Sequence, residues 1–243
     1  MKKKVESIAK IHLTSIKFSN ALSVKKFFNL SATFYMGKLT KMILLVGSIL
    51  LLYGTYNAYT LPAKIESYRI VFFHVPSAIT AYIAFAVSFV SAILYLRTSD
   101  PNKDRLAYIS AKYGFSMAIA AFLSGSIWAK VTWGAYFTWF EIREVIVLLL
   151  LFIYAIYFSL RNIVESDKAR TSSIYLIIAF ITVPFSYIAG FFSPLHPRPF
   201  EAEFSLEWLL NLWIMIFAFT LLYSAYVSLE SGRDNQKTHK AKE

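Results

Sequence analysis

Few side chains in this chain can do chemistry, and their scarcity narrows the reading. Cysteine is absent, which removes disulfides, thiolate metal sites and cysteine nucleophiles. There are four histidines, His12, His74, His196 and His239, and the first and last stand in charged terminal stretches. His74, in RIVFFHVPSA, opens an apolar run; His196, in FFSPLHPRPF, lies between two such runs. A neutral imidazole is a good ligand for iron, zinc or copper. Zinc takes three or four nitrogen, sulfur or oxygen ligands close together, a demand that two isolated histidines meet poorly. Two imidazoles on opposite faces of a flat macrocycle make a bis-histidine heme site.

Between the two histidines runs WAKVTWGAYFTWFE, residues 128–141, with Trp128, Trp133, Tyr136, Phe137, Trp139 and Phe140. A porphyrin is a wide apolar plate with two carboxylates on one edge. Large aromatic faces suit the plate, and arginine or lysine at the rim suits the carboxylates. Read as a short helix, Trp133, Tyr136, Phe137 and Phe140 fall at i, i+3, i+4 and i+7 and share one apolar face, with Gly134 allowing a tight entry. Laid flat on the outer surface, such a helix floors a broad, shallow site. Arg69 and Arg198 are candidate carboxylate partners, by charge and location alone. Plainer readings stand beside this one. Trp and Tyr gather at membrane interfaces without any ligand, a single histidine serves equally as an interfacial polar residue, and SPLHPRP reads also as a proline-braced turn. Both non-tail histidines flank one aromatic stretch, and that convergence favours a ligand site.

The elements that position these residues are membrane spans. The 243 residues are 57% hydrophobic and 16% charged, with a mean hydropathy of +0.53. A soluble domain carries more charge. A span needs about 20 mostly apolar residues, and six segments qualify: 42–60, 70–96, 106–128, 142–160, 173–192 and 206–229. Pro184 predicts a kink in the fifth. Nineteen of the 25 Lys and Arg fall on the side that holds both termini and the 97–105 and 161–170 loops. That side is cytoplasmic by the positive-inside rule, which puts both histidines and the aromatic stretch outside. The expected fold is an all-α integral membrane protein of six transmembrane helices. Both termini are cytoplasmic, and a short outer-face amphipathic helix carries the aromatic motif. Residues 1–41 form a basic amphipathic segment, 42–229 the six-helix domain and 230–243 a basic cytoplasmic tail. The net charge of +11 lies beside apolar runs, where anionic lipid rather than nucleic acid is the partner.

No nucleotide loop, catalytic triad or metal-carboxylate cluster is visible, which disfavours an enzyme. A cytochrome b-type electron-transfer subunit usually buries its histidines within the spans, whereas these sit at span ends. A secondary transporter or permease subunit usually shows mid-span ionisable groups; the spans here offer mainly Lys112, Asn57 and Asn211.

WGAYFTW followed by an acidic residue resembles the tryptophan-rich WWD motif of heme-handling membrane proteins. RIVFFHVPSA and LHPRP resemble the histidine-bearing segments of the cytochrome c maturation protein C family, also called heme exporter protein C. The likeness covers roughly 42–229. Trp133, Gly134 and Trp139 match the motif; Tyr136 and Phe137 stand where the family has tryptophans. Phe140 takes the place of its aspartate, and Glu141 and Arg143 keep the acid-x-basic spacing after a one-residue insertion. The resemblance implies a protein that does not transform heme. It implies non-covalent heme b held by His74 and His196 as axial ligands, with Trp133, Gly134, Tyr136, Phe137 and Trp139 lining it. It also implies delivery to a membrane-anchored heme chaperone, alongside ABC-transporter components and a small single-span subunit, in the plasma membrane of a prokaryote.

Overall fold

The computed structural model of the chain describes residues 37–196 and 204–240. The basic segment before Gly37 and Arg198 lie outside the described residues. Every described element is helical: α1 (Lys38–Thr60), a 3-10 turn (Glu66–Ile70), α2 (Val71–Thr98), α3 (Pro101–Trp133), α4 (Ile142–Ile163), α5 (Lys168–Ala179), α6 (Thr182–Phe192) and α7 (Leu206–Lys240). With α5 and α6 counted as one broken helix, six are long and apolar enough to cross a membrane, matching the six expected spans. α1, with 23 residues, rises about 35 Å at 1.5 Å per residue, enough for a hydrocarbon core of about 30 Å.

Lipid tails are as apolar as leucine, so these helices associate by close packing and hydrogen bonds rather than by escape from water. Small residues permit the approach. A Cβ at Gly54 of α1 would lie 2.5 Å from Met215 Sδ of α7, and one at Gly47 would lie 3.2 Å from Leu221 Cβ. Asn211 Nδ2 donates to the Gly54 carbonyl at 3.0 Å across the same contact. α2 and α3 form an antiparallel hairpin. Its turn places Ser99 at φ +54 and Asp100 as the N-cap of α3, accepting from Asn102 N at 2.9 Å ahead of Pro101. Buried alanines, among them Ala81, Ala92, Ala107, Ala111 and Ala118, line the seam. Phe85 fills the space opposite Gly114 and stacks on Tyr154 of α4 at 3.9 Å. At the end of the bundle away from the histidines, Arg161 makes a two-pronged ion pair with Asp104, at 2.7 and 2.8 Å.

The kink expected at Pro184 is a break: α5 ends at Ala179 and α6 begins at Thr182. Pro184 has no N–H for the Phe180 carbonyl, which instead accepts from Val183 N at 3.0 Å. The third span is longer than 106–128, running to Trp133, so Trp128 and Trp133 belong to α3. The short helix over 133–140 does not form. Trp133 ends α3 and Gly134 takes the left-handed conformation at φ +86, which closes a helix instead of opening one. Residues 135–141 are loop and turn.

Candidate functional site

His74 lies in the first turns of α2, part-buried against α3. Its Nδ1 is 3.0 Å from the Ala121 carbonyl oxygen and 3.1 Å from Ser124 Oγ. A carbonyl only accepts, so Nδ1 carries the proton and Nε2 keeps its lone pair, the form in which a histidine binds a metal. Ser124 Oγ in turn donates to the Ala120 carbonyl at 2.8 Å. Gly125 makes the room: a Cβ there would lie 3.0 Å from His74 Cε1.

His196 follows α6 on a short bent segment that leaves the helix at Ser193. Its ring centre is 6.3 Å from that of His74, with the planes 40° apart. Arg143 of α4 donates from Nη1 to His196 Nδ1 at 3.2 Å, so in this arrangement the two rings show opposite polarity. Arg143 reaches that point over Gly190 of α6, where a Cβ would stand 2.8 Å from Nη1. The pair is thus brought together from sequence positions 122 residues apart.

Glu141 is fully buried, at 0% exposure. It caps α4 by accepting from Arg143 N at 3.2 Å. It also accepts from Ser193 Oγ and from Leu195 N at 3.2 Å, and Ser193 Oγ itself accepts from His196 N at 3.1 Å.

The aromatic residues divide. Trp128, absent from the sequence-derived lining, reaches His196 at 5.9 Å and also meets Trp133 at 5.2 Å and Tyr68 at 6.1 Å. Trp133 keeps a buried indole N–H with no partner among the described residues. Phe137 and Trp139 pack edge to face at 5.0 Å. Lys130 donates to the Gly134 carbonyl at 2.8 Å and lies over the Tyr136 ring at 5.5 Å. Tyr136, Trp139 and Phe140 project outward at 60%, 75% and 88% exposure. Arg69 sits on the 3-10 turn and donates to both Glu66 carboxylate oxygens and to the Ala58 and Leu61 carbonyls. With Ala58, Tyr59, Ile70 and Phe73 it lines a hollow of about 220 Å³. That is below the roughly 300–1,000 Å³ of a full ligand pocket.

Sequence reasoning named Trp128 in the aromatic stretch and Glu141 in the motif but gave neither a place in the site. Ending the third span at Trp128 hid that Trp128 and Trp133 stand on one continuing helix. No sequence signal pairs Glu141 with Ser193, because 52 residues separate them.

A sequence model of one family, described as heme exporter protein C, matches residues 17–242. The chain is 27% identical over 167 residues to a cytochrome c biosynthesis ccmC-like mitochondrial protein of Marchantia polymorpha, covering 68% of this chain and 69% of that one. It is 27% identical over 186 residues to heme exporter protein C of Bradyrhizobium diazoefficiens, covering 72% and 70%. A shorter likeness, 27% over 128 residues, links it to the cytochrome c biogenesis protein CcsA of Chlamydomonas reinhardtii, 47% of this chain and 36% of that one.

Proposed function

The chain belongs to the heme exporter protein C family, membrane proteins that handle heme in cytochrome c maturation, and from that premise we propose that it holds heme between His74 and His196 and hands it to a chaperone. The spacing of the two rings carries the reading. Metal–imidazole bonds of about 2.0–2.1 Å, with roughly 1.1 Å from nitrogen to ring centre, set two axial rings about 6.2–6.4 Å apart; here they are 6.3 Å apart. The surroundings suit the cargo. His74 offers Nε2, His196 offers a lone pair once Arg143 releases its Nδ1, Trp128 supplies a flat face beside His196, and the Trp133 N–H, without a partner among the described residues, is a donor for a propionate. Arg69 is a second propionate partner beside its hollow, and Arg198 follows His196 by two residues.

The heme is b-type and non-covalent, since the chain has no cysteine to form a thioether. Tyr136, Trp139 and Phe140 form an exposed apolar rim beside the site, the kind of surface that marks a docking face. A membrane-anchored heme chaperone docks there, and ABC-transporter components and a single-span subunit work beside it. The charge distribution supports an outer-face site, and the membrane proposed for it is the plasma membrane of a prokaryote. The chain acts as a carrier, not as a catalyst.

One experiment joins ligation to delivery. In a strain lacking its own copy, the wild-type chain should restore c-type cytochromes and, when purified, show six-coordinate heme. His74→Ala and His196→Ala should each give five-coordinate or lost heme and no c-type cytochromes, while b-type cytochromes persist. Full restoration by either variant would sink the reading.

A further inference from the structure

We propose that Glu141 is a positioning residue: its buried carboxylate clasps the segment 193–196 to the start of α4 and so sets where His196 faces His74. The inference rests on the bis-histidine reading and goes beyond it, because it assigns a task to a residue that touches neither the iron nor the plate.

Capping alone does not explain this carboxylate. An N-cap needs one acceptor, and helix starts normally stand in water or at an interface. Glu141 satisfies the cap through Oε1 to Arg143 N yet has no exposed surface. Its further bonds reach the segment that follows α6: Ser193 Oγ to Oε1 and Leu195 N to Oε2. A buried carboxylate is costly unless its oxygens are hydrogen-bonded, and these three donors meet that need only while the His196 segment is docked. The chain of hydrogen bonds continues, since Ser193 Oγ donates to Glu141 and accepts from His196 N. The backbone on both sides of Leu195 is therefore fixed from one carboxylate. Arg143, two residues on, meets the His196 ring itself. That bond takes the Nδ1 lone pair and leaves the ring proton on Nε2, so it must break before His196 can ligate; the clasp on the backbone, not the guanidinium, is what places the ring opposite His74.

The test compares Glu141→Ala, Ser193→Ala and Glu141→Asp with His196→Ala, each purified as the full chain and titrated with heme. Ser193→Ala removes one hydroxyl and guards against a general folding defect in Glu141→Ala. Both should load heme on His74 but shift the spectrum from six- to five-coordinate, as His196→Ala does, with affinity down about 10- to 100-fold, the range for lost outer-shell partners. Adding either to His196→Ala should change the spectrum no further. Glu141→Asp, which keeps the charge, should recover part of the six-coordinate form. If His196→Ala alters the spectrum while Glu141→Ala and Ser193→Ala keep the wild-type spectrum and affinity, the clasp is wrong and the ligation reading survives. If His196→Ala leaves the heme six-coordinate, the ligation reading fails and the clasp falls with it.

Discussion

The contact between Gly125 and His74 separates what the fold needs from what the site needs. Glycine inside a helix costs about 1 kcal/mol relative to alanine, so α3 by itself prefers Ala at 125. A Cβ there would stand 3.0 Å from His74 Cε1 and 3.5 Å from Nδ1. The imidazole must then shift by a few tenths of an ångström, out of line with the Ala121 carbonyl. Gly125→Ala should therefore leave thermal stability unchanged or slightly raised while heme affinity falls about 10-fold, the lower end for disturbed outer-shell geometry. Equal losses in melting temperature and affinity would refute it. At this scale the sequence was readable where chemistry is rare. With no cysteine and two non-tail histidines, the pair stood out. Glu141 and Trp128 did not, because their tasks depend on which helix ends meet, and distant pairings leave no local periodicity.

The helices themselves were legible because lipid imposes long apolar runs, and all six expected spans fall on helices. The error at residues 133–140 has a physical source. The i, i+3, i+4, i+7 spacing is necessary for an amphipathic helix but not sufficient, and a glycine placed just after Trp133 is also a helix-stop signal. At φ +86 it acts as one. Two helices meet through glycine elsewhere, and that contact can be tested as an element. Gly54 lets α1 lie against Met215, whose Sδ would be 2.5 Å from an added Cβ. Gly54→Leu should push α1 off α7, costing about 1–3 kcal/mol by overpacking, and should break the Asn211 bond to the Gly54 carbonyl. Lower thermal stability in detergent, with the bis-histidine spectrum retained, is the expected outcome; an unchanged melting temperature would show that the two helices are not closely packed.

For the molecule as a whole, the charge asymmetry predicts a topology that no contact within the bundle reveals. Nineteen of 25 basic residues fall on the side of the termini. A reporter fused after Glu243 should behave as cytoplasmic and one inserted at Phe137 as external; the reverse would turn the heme site to the cytoplasm. The bundle also treats its two histidines differently. His74 is fastened to the backbone of α3, within the tightly packed α2–α3 hairpin. His196 rides on a short segment held by one carboxylate and one guanidinium. The arrangement is a vise with one fixed jaw and one carried jaw. A partner that pulls on residues 193–196 would therefore act on the carried jaw and leave the fixed one in the α2–α3 hairpin.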